Sequence, residues 1–412
     1  MLIKSARIID SRSPYNNQVK DLLIKDGIIE KISDNITGQG EIIDARGKCI
    51  SIGWFDMKVN FCDPGHEYKE DLTSGCNAAI AGGFTGVALM PSTQPALQSK
   101  SQIDYVLTKT KNSLVDVFPV GAVTVNRDGK DLCEMYDMKL AGAVAFTDDK
   151  RAIQDSGMLS RALLYAKNIN SLIITFAEDK NISGNGSVNE SANTTLLGFK
   201  GAPSLAEELM VARDIQISEY TDAPVHISGI SCAKSVALIA EAKQKRIQVT
   251  CDVAAYSLLN DDSALKTFDS NFKVKPPLRN SSDVEALRQG VIDGTIDVIV
   301  SDHKPQEPES KDVEFDYASY GMIGLESFFG LVMKSLGDKM DLETLIEKFT
   351  TNPRHILNLD VPCLTEGAAA NLTLFDVNTS WTFTKADIKS KSKNTPYLGM
   401  EFTGRPVFVF KP

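Results

Sequence analysis

Between residues 53 and about 360 the chain alternates short apolar runs with amphipathic stretches, and this alternation constrains the fold more than any other feature. Gly86-Val-Ala-Leu-Met90, Ser171-Leu-Ile-Ile-Thr175, Pro224-Val-His-Ile-Ser228, Ile247-Gln-Val-Thr-Cys251 and Asp297-Val-Ile-Val-Ser301 read as buried strands. They are too short for buried helices and rich in β-branched residues. Helical patterns lie between them, over 71–81, 157–167, 204–218, 231–245, 326–336 and 342–350. Ser204-Leu-Ala-Glu207 reads as a capping box opening one of these. About eight strand–helix units predict an α/β protein of the (β/α)8 TIM-barrel type. No Gly-x-Gly-x-x-Gly turn opens any helix, which lowers the dinucleotide-binding alternative.

The two ends have β character instead. Asp21-Leu-Leu-Ile-Lys25 and Ile28-Ile-Glu-Lys-Ile32 flank Asp26-Gly27, a hairpin signal, and Ala370 to Asp376 and Arg405 to Phe410 are further strand-like runs. The expected organisation is a small β-sandwich from residues 1–52 and 361–412 beside a barrel of 53–360. The acidic, serine-containing stretch from Pro305 to Asp316 reads as a mobile loop.

Composition narrows the partners. A formal net charge of -10 leaves no general basic face for nucleic acid or anionic membrane. The first ten residues interrupt their apolar run with charges, which argues against a secretory signal. The seven cysteines are scattered and odd in number, without a CxxC pair, so neither a disulfide framework nor a thiolate zinc site is expected. A reducing cytoplasm is the expected location.

The stretch Gly53-Trp-Phe-Asp-Met-Lys-Val-Asn60 carries the central question. Strand side chains alternate, so Lys58 and Asn60 project to one side at a strand end. A barrel enzyme would place a His-x-His metal pair there. With Asp63-Pro-Gly-His-Glu-Tyr-Lys-Glu-Asp71, Ala81-Gly-Gly-Phe-Thr-Gly-Val87, Met90-Pro-Ser-Thr-Gln-Pro95, Ala143-Val-Ala-Phe-Thr-Asp-Asp149, Pro276-Pro-Leu-Arg279, Ser301-Asp-His-Lys-Pro305 and Lys393-Asn-Thr-Pro-Tyr-Leu-Gly399, it resembles the amidohydrolase superfamily, and within it the class I dihydroorotase group. The resemblance implies hydrolysis of a cyclic amide in pyrimidine biosynthesis, at a zinc centre on the barrel's C-terminal mouth. Bound zinc lowers the pKa of water from 15.7 to about 7 and polarises the scissile carbonyl.

Carried over position by position, the imidazoles the resemblance implies are absent. The first pair is Lys58 and Asn60, the third position is Phe176 and the fourth is Gly229. Only carboxylates remain: Asp149, or as the lesser candidate Asp148, and Asp302. Family substrate-binding positions are altered as well, to Cys62, Ser92, Lys275 and Gln306. Lys58 is expected to pair with Asp302 or Asp149 and supply the charge a metal would have supplied. Phe176 is expected to fill the vacated space, Asn60 and Lys275 to fill and bond the pocket, and His303 to line it. His66 and His355 have surface or loop readings, and His226 that of a satisfied core histidine.

Leaving water at its bulk pKa costs roughly 8 to 9 pK units, or about 12 kcal/mol in hydroxide availability. Asp302 as a vestigial general base would contribute only about 10² to 10⁴ in rate. The expectation is therefore a catalytically silent homologue without a cofactor, serving as a structural partner of aspartate transcarbamoylase or of an active paralogue, and itself a homo-oligomer. One alternative is an active dihydroorotase-type hydrolase holding zinc on Asp149 and Asp302. Another is a small-anion binding module resting on Lys58, Lys275 and His303.

Overall fold

The computed structural model describes residues 1–37 and 40–412. The chain opens with β1 (Leu2–Ile8), β2 (Val19–Lys25), β3 (Ile28–Ser33), β4 (Ile42–Asp44) and β5 (Cys49–Ile52). Asp26 and Gly27 join β2 to β3 with φ of 50° and 77°, the left-handed pair that a two-residue hairpin turn requires.

The barrel strands follow: β6 (Trp54–Val59), β7 (Phe84–Leu89), β8 (Asp116–Pro119) and β9 (Ile173–Phe176). A two-stranded excursion, β10 (Val188–Asn189) with β11 (Gly201–Ala202), precedes β12 (Val225–Ser228), β13 (Val249–Ala254) and β14 (Val298–Val300). Two parallel sheets result, β6-β7-β8 and β9-β12-β13-β14. Bridges from Phe146 to Gly121 and to Ile173 join them on one side. A bridge from Val59 to His303 joins them on the other, with Asn60 N–H donating to His303 C=O at 2.9 Å. With the segment at Phe146 as the missing strand, the barrel is closed and eight-stranded. Phe55, Met57, Ala88, Ile174, Val298 and Val300, from four of its strands, share one buried cluster.

The last strands, β15 (Leu372–Thr382) and β16 (Glu401–Phe410), return to the N-terminal region. They give a seven-stranded sheet in the order β16-β15-β5-β1-β2-β3, with β4 beside β1. Its core is Ile3, Ile8, Leu22, Ile50, Leu372 and Leu374. The sheet therefore combines both ends of the chain. Its first strand carries an irregular register between Ile3 and Ala6.

Two local expectations are corrected. Ser204 makes no capping bond, and Glu207 is turned inward. Its carboxylate accepts from Ser231 N–H at 2.8 Å and Cys232 N–H at 3.1 Å, and pairs with Arg279 at 3.4 Å. A long-range network outbids the local cap because both partners are buried and the carboxylate gains several donors. The stretch Pro305 to Asp316 is anchored. It holds a helical turn over Pro308–Lys311, and the buried Lys311 ammonium donates to the carbonyls of Ser270 (2.7 Å) and Ser319 (2.8 Å). Among the described residues, no helix is long and apolar enough to cross a membrane.

Candidate active site at the barrel mouth

The C-terminal strand ends open into a cavity of about 310 Å³. Asn60, Cys62, Ser92, Asp149, Lys275 and Gln306, all singled out in the sequence, line it. So do Arg127, Lys150, Lys304 and Tyr320, which were not.

Asp302 organises the floor. Its Oδ2 accepts from the Lys150 ammonium at 2.5 Å and from the Tyr256 hydroxyl at 2.6 Å. Lys58 Nζ stands 3.8 Å from Oδ1, which has no hydrogen-bond partner. Lys58 is thus within ion-pair reach of Asp302, but the shorter contact belongs to Lys150. Lys150 directly follows Thr147-Asp-Asp149, and a cation immediately after a retained carboxylate at a strand end was the signal that could have found it.

Burial works against the Lys58 ammonium, but the surrounding Asp302, Asp252, Asp149 and Asp56 carboxylates outweigh it and hold its pKa above the usual value. Lys150 has the opposite balance. Burial, with Lys58 and Lys304 nearby, brings it down to about 8 against the pull of Asp302 and Asp149. Asp149 is opposed by burial yet lowered to about 2, by Lys304, Lys58, Lys150 and the Ser92 hydroxyl. Ser92 Oγ donates to Asp149 Oδ2 and accepts from Arg127 Nη1 at 2.7 Å. Asp149 is the aspartate of the cavity. Asp148 is turned away, accepting from the N–H groups of Val123 and Thr124, both at 3.0 Å, and from the Thr124 hydroxyl.

The Phe176 ring centroid is 5.9 Å from Lys58 Nζ and 5.8 Å from Lys275 Nζ. Lys275 pairs with Glu178 at 2.7 Å. Gly229 has φ of 74°, and a Cβ there would lie 3.3 Å from Lys58 Nζ. Lys58 therefore occupies the space into which a side chain at 229 would extend, so the departures at 58 and 229 are sterically coupled.

Cys62 is buried, and burial pushes its thiol up to about 12, which removes it as a nucleophile at neutral pH. Gln306 accepts from Lys69 at 2.8 Å and donates to Tyr320 C=O at 2.7 Å. Asn60 is buried, and its Nδ2 has no acceptor.

His303 does not line the cavity, contrary to expectation. It is fully buried behind β14. Its Nδ1 accepts from the N–H groups of Gly324 (3.2 Å) and Leu325 (3.4 Å), and its Nε2 lies 3.6 Å from Glu70 Oε2. The left-handed backbone of Asp302, φ 50°, interrupts strand alternation and turns the next side chain inward. His66 is the histidine at the rim instead. His226 is fully buried between Thr250 (2.9 Å) and Asp252 (3.0 Å).

These donors do not fit zinc. An ammonium, a phenyl ring and a glycine offer no lone pair, and the primary amide of Asn60 is a weak ligand. Among the described residues, no group of three or more histidine, cysteine, aspartate or glutamate side chains is disposed to hold a metal.

Comparison with known proteins places the chain. A family model described as dihydro-orotase-like matches residues 47–235. A dihydroorotase of Geotalea daltonii is 41% identical over 413 residues, covering 99% of this chain and 97% of that protein. A dihydroorotase of Pelotomaculum thermopropionicum is 41% identical over 412 residues, covering 98% and 96%. Among solved structures, an L-hydantoinase (dihydropyrimidinase) from Arthrobacter aurescens superposes with a TM-score of 0.85 at 22% identity, covering all of this chain and 94% of that one. That likeness carries the fold, a TIM barrel with a β-rich domain. With two-fifths identity sustained from end to end, the chain belongs to the dihydroorotase family.

Proposed function

We propose that this chain is a catalytically silent member of the dihydroorotase family. Its role in pyrimidine biosynthesis is that of a structural partner, to aspartate transcarbamoylase or to an active paralogue, rather than a ring-opening hydrolase. The observation that carries the reading is the pair of ammonium groups, Lys58 and Lys150, set against Asp302 at 3.8 and 2.5 Å. Carboxylates gathered at one mouth would repel without a counter-charge, and two fixed ammonium groups supply it. They also repel a divalent cation. Phe176 and Gly229 strengthen the reading, because neither can ligate a metal. The two Asp302 contacts also leave its base character directed at protein cations rather than at water.

The names of the full-length relatives favour the second reading, an active cyclic amidohydrolase of the dihydroorotase type with an atypical metal site. Metal content of the purified protein, measured beside turnover of dihydroorotate with and without added zinc, separates the two. The silent reading expects substoichiometric zinc and no turnover above buffer. Stoichiometric zinc with turnover establishes the hydrolase instead. Co-purification at native expression levels tests the partner role, which expects a fixed stoichiometric companion. Recovery of the chain alone counts against it.

A further inference from the structure

Residues 307–316 carry five carboxylates against one lysine. Glu307 is paired with Lys69 at 3.3 Å. Glu309, Asp312, Glu314 and Asp316 are exposed and, among the described residues, have no cation within 4.0 Å. A run of like charges is ordinarily a solvated, mobile face. Here the backbone is fixed from within. The buried Lys311 ammonium holds the carbonyls of Ser270 and Ser319, and the buried Lys273 ammonium donates to those of Phe315 (2.9 Å) and Asp316 (2.8 Å). Phe315 is itself buried in a small cluster with Val188 and Leu265.

Apolar side chains stand among these carboxylates. Tyr317 is 80% exposed, Phe268 55% and Val313 39%. Phe268 and Val313 line a groove of about 400 Å³ with Pro308, Asn271 and Asp312. Gln306 is the one residue that this lining shares with the barrel mouth. The two ammonium groups of the groove are already engaged, Lys311 as above and Lys393 with the carbonyls of Ile388 (3.0 Å) and Ser390 (2.6 Å). The groove is left with free acceptors: the Asp312 carboxylate, and Asn271 Oδ1, which is buried without a donor. A buried acceptor left unpaired calls for a donor, and an exposed aromatic ring accepts the face of a guanidinium.

We propose that residues 307–317 and Phe268 form a docking surface for a basic segment of a partner polypeptide, in which arginines alternate with apolar residues. One arginine of that segment enters the groove and donates to Asp312 and Asn271 Oδ1. Its neighbours meet Glu309, Glu314 and Asp316, and its apolar residues cover Tyr317 and Val313. An acidic partner is repelled by the four uncompensated carboxylates, and a wholly apolar one desolvates them without a counter-charge. Because the surface is ordered before the partner arrives, docking does not have to fix a mobile loop. This deepens the partner role proposed above and rests on it, in assigning the face used and the chemistry of the companion.

Fluorescence anisotropy of a labelled synthetic peptide of repeated Arg-Leu-Arg-Gly units, titrated with the full chain at about 0.15 M salt, tests the face. Saturable one-to-one binding is expected, at least about tenfold tighter than that of the same peptide with glutamine in place of arginine. The triple variant Asp312→Asn, Glu314→Gln, Asp316→Asn should weaken it about tenfold or more, and Tyr317→Ser about threefold or more. A control triple on exposed carboxylates elsewhere, Glu134→Gln, Glu219→Gln, Asp338→Asn, removes the same charge and should change it less than about twofold. The Tm of each variant without peptide should stay within a few degrees. Absence of saturable binding, equal binding of the glutamine peptide, or equal weakening by the two triples overturns the proposal. Because the probe is synthetic, the titration decides the face whether or not a native companion is recovered, so its failure and that of the partner role are distinguishable.

Discussion

The floor and the rim of the same cavity treat charge in opposite ways. On the floor, Asp302 is enclosed by Lys150, Lys58 and Tyr256. At the rim, Arg151 and Lys304 stand without close carboxylates among the described residues. A buried charge must be compensated from within the protein, whereas a rim charge can be compensated by water or by a ligand. The floor is therefore compensated from within the protein, and the rim is open to water or to an external partner.

The sharpest way to break this contrast is to remove a floor cation. Lys150→Met leaves Asp302 buried with Lys58 at 3.8 Å as its remaining cation. Stability to urea should fall by about 3–5 kcal/mol, the range for breaking a buried pair. The double variant with Asp302→Asn should recover a large part of the loss. A single-variant loss under about 1 kcal/mol would show that the floor pair is dispensable.

Next in size is a pH effect below the floor. Asp56 is fully buried, and burial raises its pKa to about 7 despite N–H bonds from Lys58 (2.9 Å) and Ser301 (3.2 Å). The folded state then holds a proton that the unfolded chain has released above about pH 4. Stability contributed by this group is present at low pH and lost as pH rises from about 4 to about 7, by up to about 4 kcal/mol. Asp56→Asn should flatten the stability–pH curve over that window, as measured by denaturant midpoints at several pH values. An unchanged slope would place the titration elsewhere.

A smaller effect tests the coupling of positions 58 and 229. Gly229→Ala should cost about 1–2 kcal/mol from its left-handed φ, and more from the contacts with Lys58 Nζ and Pro276 Cδ, both at 3.3 Å. Adding Lys58→Ala should relieve only the Lys58 share of the contact, so the two substitutions will be non-additive in a double-mutant cycle. Additive losses would mean that the two departures are independent.

The rim should respond least. Arg151→Gln and Lys304→Gln are expected to change stability by no more than about 0.5 kcal/mol, measured by the same denaturation. A rim variant as costly as Lys150→Met would erase the distinction between the two regions.

The legibility of the site follows the same physical division. The alternation of strand and helix patterns, the Asp26-Gly27 hairpin and the departures at Lys58, Asn60, Phe176 and Gly229 were readable because each depends on residue type and local spacing. The orientation of His303 and the entry of Lys150 into the mouth were not. Asp302 and Asp149 both adopt left-handed backbone, with φ of 50° and 52°. Such a residue breaks the two-residue alternation on which a strand-based reading relies. After Asp302 the break turns His303 into the protein, and after Asp149 it delivers Lys150 to Asp302. Ser204 and Glu207 illustrate the same limit, since a favourable local capping pattern lost to a buried network with Ser231, Cys232 and Arg279.

The sequence by itself determined that the chain would form a closed barrel with a sheet drawn from both ends, and that zinc-ligating imidazoles would be missing from its mouth. Those outcomes follow from hydrophobic periodicity and from the presence or absence of lone pairs on particular side chains. Only the tertiary structure decided which cation neutralises Asp302, which aspartate faces the cavity and which cations remain unpaired. Ion pairing depends on distances of a few ångströms between residues far apart in the chain, 152 positions for Lys150 and Asp302, and those distances are set by packing rather than by any local run of sequence.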